Sequence, residues 1–141
     1  MQRFWEIVDR LPRLLLSSIA TVLTLAQIGM AFFFQGQSSP ILDWAGWICI
    51  WTSGVFGVMP ILTFHRKGSV PEGKNYTQTT VLVRTGIYGV VRHPQGGTAW
   101  LLINLGVMLM AWHWTSAILG IASMSLVVVD TYKSDQYCIA K

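Results

Sequence analysis

Charge is scarce in this chain: acidic and basic residues make up 11% of its 141 residues, against about 25% in an ordinary soluble domain. Cysteine is nearly absent too. Cys49 in an apolar run and Cys138 near the end form neither a disulfide framework nor a metal-ligand pattern. No internal repeat is present, and no segment is biased enough to read as disordered. The length is that of a single domain covering 1–141. What fills it is apolar, with 52% hydrophobic residues and seven tryptophans. A membrane protein is the first reading.

Four apolar runs carry that reading. Residues 14–34 hold no charge and are long enough to span a hydrocarbon core of about 30 Å. A cleaved signal peptide would have an apolar stretch of about 7–15 residues, and this one continues through Met30 to Phe34. A second span covers about 41–64, with Pro60 expected to bend its last turns. A third covers about 95–112 and a fourth about 114–131, separated by an interfacial turn at Trp112-His113-Trp114. Residues 1–13, with Phe4, Trp5, Ile7 and Val8 among three arginines, read as an interfacial helix or a frayed terminus. The fold expected is therefore an all-α membrane protein of about four transmembrane helices.

Absence of charge orients it. The turns after the first and third runs contain no lysine or arginine. All ten basic residues fall in the N-terminal segment, the 65–94 loop or the C-terminal tail. With an even number of spans these three regions share one side, so the positive-inside rule places both termini and the loop in the cytoplasm. That placement accounts for the formal charge of +4 without a nucleic-acid partner. It also separates Cys49 from Cys138, and His65 from His113, which argues against a disulfide and a shared metal site.

The stretch from Arg84 to Thr98 is the densest in chemistry. It holds Arg84, Arg92, His93, Pro94 and four glycines just before the third run. Pro94 suits the first turn of a helix. The amides of Gln95, Gly96 and Gly97 would then lack intrahelical partners, with Arg92 and His93 adding positive charge. On these grounds the segment is a candidate anion or carboxylate site at the membrane surface.

VPEGK at 70–74, TTVLVRTGIYGVVRHPQ at 79–95 and the apolar hairpin that follows resemble the small integral-membrane methyltransferases. That group includes isoprenylcysteine carboxyl methyltransferase and phospholipid N-methyltransferases. The likeness covers the second half of the chain; the first half shares topology only. The family pattern runs G-x-Y-x-x-V-R-H-P-x-Y-x-G, two membrane helices and a glutamate pair. Gly86, Tyr88, Val91, Arg92, His93 and Pro94 match it, and Gln95 falls at a variable position. Gly96 replaces the next tyrosine, Thr98 the later glycine, and Ser134 and Asp135 the glutamate pair. The family continues beyond the position of Lys141, which implies a chain shortened at that end.

The resemblance implies a cytoplasmic loop-helix site for S-adenosylmethionine, built from Tyr88, Arg92, His93, Pro94, Gln95, Gly96 and Asp135. Arg92 and His93 would face the donor's carboxylate and Asp135 its ammonium group. The expected activity is methyl transfer to a lipophilic or small acceptor (carboxylate, amine or thiol) that enters from the bilayer. Each residue also has a plainer reading. Arg92 and His93 serve equally as interfacial anchors, and Asp135 as a solvated acid paired with Lys133 or Lys141. Tyr88 and the tryptophans suit the interface, and Asn104 suits an interhelical hydrogen bond. A non-catalytic family member, a small transporter or binding module and a sterol-reductase-like protein are the alternatives. The transporter is disfavoured because no run carries an ionisable residue in its interior.

Overall fold

The computed structural model describes residues 12–33, 38–67 and 85–139, and the regular structure among them is helical throughout. The N-terminal segment expected to lie at the interface, VPEGK and Arg84 fall outside the described residues. Four helices run antiparallel: α1 (Arg13–Phe33), α2 (Pro40–Lys67), α3 (Trp100–Met110) and α4 (Trp114–Ile139). A 3₁₀ turn (Gly86–Gly89) and a π-helical turn (Pro94–Ala99) lead into α3.

Local chemistry explains these boundaries. α2 opens with Pro40 in its first turn and Asp43 one turn on, and Leu42 N–H reaches the Ser39 hydroxyl at 3.4 Å. α4 opens after His113, whose Nδ1 accepts the Thr115 amide at 3.3 Å, so this histidine is a helix cap. Hydroxyls inside the apolar runs fold back onto their own helix. Ser18 donates to Leu14 O at 2.6 Å, Thr52 to Ile48 O at 2.7 Å and Ser125 to Ile121 O at 2.8 Å. In lipid, where water cannot satisfy them, that bond removes most of the cost of a hydroxyl.

Three helical segments, Arg13–Phe33, Pro40–Arg66 and Trp114–Gln136, are long and apolar enough to cross a membrane. The third apolar run differs from the expected continuous span. Its Pro-Gln-Gly-Gly-Thr-Ala start forms six residues of π turn, leaving eleven of α-helix, together about 25 Å along the axis. The fourth runs the other way. α4 continues through the polar residues after Val129, so Asp135 lies on a helix and not in a loose tail.

The bundle is polar inside and apolar outside. Gln27, Asn104, Ser116 and Ser123 are fully buried, while Val22, Leu25, Phe32, Trp44 and Trp51 are more than 60% exposed. A lipid-facing exterior accounts for this inversion. The α1–α4 seam uses Leu16, Ala20, Thr24 and Gln27 against Ser116, Gly120, Ser123 and Val127, every third or fourth residue on each helix. Thr24 Oγ1 lies 2.8 Å from Ser123 Oγ and 3.2 Å from Asn104 Oδ1, and Gln27 Nε2 donates to Asn104 O at 3.1 Å. Asn104 thus makes the interhelical contacts expected of it. Across the bundle α2 meets α3 backbone to backbone. A methyl group on Gly106 would sit 2.8 Å from Gly46 O and 2.8 Å from Ile50 Cγ1.

Three glycine-to-alanine variants rank these contacts. Gly106→Ala meets immovable backbone and should cost about 1–3 kcal/mol. Gly120→Ala would place its methyl 2.7 Å from Gln27 Nε2, a side chain that can shift, and should cost less. Gly29→Ala has nothing within 4 Å and should gain about 0.5–1 kcal/mol of helix propensity. Denaturant unfolding of purified protein in micelles checks this order, and a Gly29 variant less stable than the Gly106 variant would refute it.

Candidate functional site

Antiparallel connectivity brings the start of α1, the end of α2, the start of α3 and the end of α4 to one end of the bundle. Arg13 Nε reaches Asp130 Oδ1 there at 3.4 Å. The chain enters α3 through a turn fixed by Gly86, whose φ of +69° is open to glycine at little cost and which packs beside Thr63 of α2. Tyr88 stacks on Phe64 with ring centroids 4.9 Å apart. That contact pins the 3₁₀ turn to α2. Tyr88 is therefore half-buried against protein.

Arg92 and His93 follow in non-helical backbone, and the buried Pro94 starts the π turn. Both Gly97 and Thr98 donate their amides to His93 O, at 3.1 and 3.0 Å. This corrects the expectation of three unpaired amides, because the wide turn bends the His93 carbonyl back onto the third of them. Ser53 of α2 holds the far end of the turn by donating to Ala99 O at 2.7 Å. Gly97 is small for a reason: a Cβ there would lie 3.3 Å from Thr131 Oγ1 of α4. Gln95 is half-buried, and Gly96 is exposed with open space around it.

Asp135 arrives from the end of α4. Its Oδ1 lies 2.8 Å from His93 Nε2 and 3.5 Å from Arg92 Nη1. The structure thus gathers Arg92, His93 and Asp135 from positions more than forty residues apart, and it pairs them with one another. These internal contacts engage the same groups that the expected division gives to a ligand carboxylate and ammonium. His93 and Asp135 keep 25% and 29% of their side-chain surface, whereas Arg92 keeps 74% and remains accessible. Beside them a cavity of about 260 Å³ is lined by His93, Thr98 and Thr131 together with the apolar Val91, Leu101 and Val128.

Sequence reasoning did not find the Arg13–Asp130 pair or the Gln27–Thr24–Ser123 seam. Gln27 three residues after Thr24 in an otherwise apolar run, and small residues at 116, 120 and 123, were the available signals. Comparison of the chain with protein-family models, with curated proteins and with solved structures finds no match.

The two contacts of Asp135 should respond differently to substitution. In double-mutant cycles read by thermal unfolding, the coupling of His93 with Asp135 should exceed that of Arg92 with Asp135. Added salt should erase the second before the first, since Arg92 is the more exposed partner. A larger or more salt-resistant Arg92 coupling would contradict this geometry.

Proposed function

We propose that the chain is an S-adenosylmethionine-dependent methyltransferase of the membrane. In this reading it crosses the bilayer four times, with both termini and the 65–94 loop in the cytoplasm. The observation that carries it is the meeting of Arg92, His93 and Asp135 beside the Pro94 turn and an apolar cavity. Charge placement supports the orientation. Arg13, Arg66, Arg92 and Lys133 belong to one end of the bundle, and among the described residues the other end has no lysine or arginine.

The fit to the donor is partial. Arg92, mostly exposed, suits a carboxylate, and Asp135 suits an ammonium group. The cavity of about 260 Å³ falls below the roughly 300–1,000 Å³ of small-molecule sites, so the described residues would hold the amino-acid end alone. The donor supplies an activated methyl group and a leaving group that needs no proton. The protein's part is then orientation and exclusion of water. Asp135 fixes the His93 ring through Nε2, which sets which nitrogen remains to interact with an acceptor. Val91, Leu101 and Val128 form an apolar approach for an acceptor arriving between α3 and α4.

One observation favours a second reading. Arg92, His93 and Asp135 contact one another, as they would in a non-catalytic family member where they only clamp α4 to the π turn. Calorimetric titration of the solubilised chain with S-adenosylhomocysteine separates the two. The enzyme reading expects binding that Arg92→Ala and His93→Ala each weaken about tenfold or more, the worth of a charge-assisted hydrogen bond, with His113→Ala unchanged. Absence of binding, or equal insensitivity of all three variants, would leave the clamp.

A further inference from the structure

We infer that the cleft between α1, α2 and α3, at the end of the bundle away from Arg92, binds a bilayer amphiphile through an ammonium headgroup. The cleft has a volume of about 590 Å³ and is walled by Ile28, Phe32, Trp47, Ile103 and Val107, with Asp43 as its one ionisable lining residue. That size lies inside the range of sites that take small organic ligands. From Asp43 to Ile50 the wall of α2 runs about 10 Å along the helix, roughly a third of the hydrocarbon thickness. One alkyl chain fits along such a wall, with its headgroup at the level of Asp43.

A second groove, of about 530 Å³, opens on the other side of the same carboxylate and is lined by Trp44, Trp47 and Trp51. Asp43 therefore stands between an apolar slot and an aromatic surface. Trp51 lies eleven residues into α2, deeper than an interfacial belt, and it is 73% exposed. The belt reading suits Trp44 but does not explain Trp51. An aromatic stripe that leads from the interface into the bilayer explains both.

Charge decides the headgroup. α1 ends at Phe33, the residues before α2 are Phe, Gln, Gly, Gln, Ser and Ser, and the α3–α4 turn is Ala111-Trp112-His113. With no lysine or arginine in either connection or among the described residues at this end, a phosphate or carboxylate would find no fixed counter-ion there. An ammonium group finds a carboxylate and the faces of Trp44 and Trp47, the combination that selects such cations. Asp43 also serves its own helix: it sits in the first turn, and Oδ1 accepts the Ser38 hydroxyl. Those contacts hold the carboxylate at the mouth of the cleft. The inference is independent of methyl transfer, because the two sites lie at opposite ends of the bundle.

Quenching of tryptophan fluorescence tests it on the full chain in uncharged maltoside micelles. Two probes share a brominated tail, one an alkyltrimethylammonium and the other an alkyl sulfate. The ammonium probe should reach half-quenching at a mole fraction about tenfold lower, against the pull of the protein's positive net charge. Asp43→Asn should abolish the headgroup preference. Val107→Phe, which fills the cleft and leaves the start of α2 untouched, should reduce quenching by the ammonium probe. Equal quenching by the two probes, a preference that survives Asp43→Asn, or indifference to Val107→Phe would each overturn the assignment.

Discussion

The close antiparallel seam between α1 and α4 sets the geometry of everything else. In lipid no hydrophobic force draws helices together, so packing and interhelical hydrogen bonds must do it. Small residues at Ser116, Gly120 and Ser123 let the backbones approach, and Gln27 and Thr24 meet them and Asn104. Each such bond contributes only about 0.6 kcal/mol in measured cases, but its directionality fixes register. Gln27 opposite Ser116 and Ala20 opposite Ser123 put Arg13 opposite Asp130. The same register carries the next turns of α4 down to His93. The polar interior of an apolar bundle is thus what positions the charged cluster at its end.

The two ends of the bundle differ in kind. One collects the described arginines and lysines with two histidines, two aspartates and a short apolar cavity. Among the described residues the other has one carboxylate, Asp43, with tryptophans and three larger apolar clefts. Such a division suits a protein that meets a water-soluble, charged molecule on one face and membrane amphiphiles from the side. Arg92, His93 and Asp135 already contact one another, so any charged ligand there must be bound more strongly than the contacts it displaces. In the proposed methyltransferase that competition would favour a ligand with both charges, because a simple anion would free Arg92 and leave Asp135 to His93 alone.

Much of the helical layout was legible in the sequence because long uncharged runs have few physical outcomes. The helices of the first two apolar runs and the Trp112-His113-Trp114 turn lie within a few residues of their expected places. The return of Asp135 toward Arg92 and His93 was legible through the resemblance. Its consequence was not, since spacing alone does not say whether three charges wait for a ligand or pair together. The π turn also escaped: Pro94 marks where a helix starts but not how widely Gly96 and Gly97 let it open. Gln27 and the serines escaped because one polar residue in an apolar run has a small signature in sequence and a large one in packing.

Cysteine cross-linking across the α1–α4 seam tests the register most directly. With Cys49 and Cys138 replaced by serine, Ala20→Cys paired with Ser123→Cys should form a disulfide readily in native membranes, because Ser123 Oγ lies 3.1 Å from Ala20 O. Gln27→Cys paired with Val127→Cys, about three turns out of register, should not. The reverse pattern would mean that α4 is shifted along α1, and the cluster of Arg92, His93 and Asp135 would not exist.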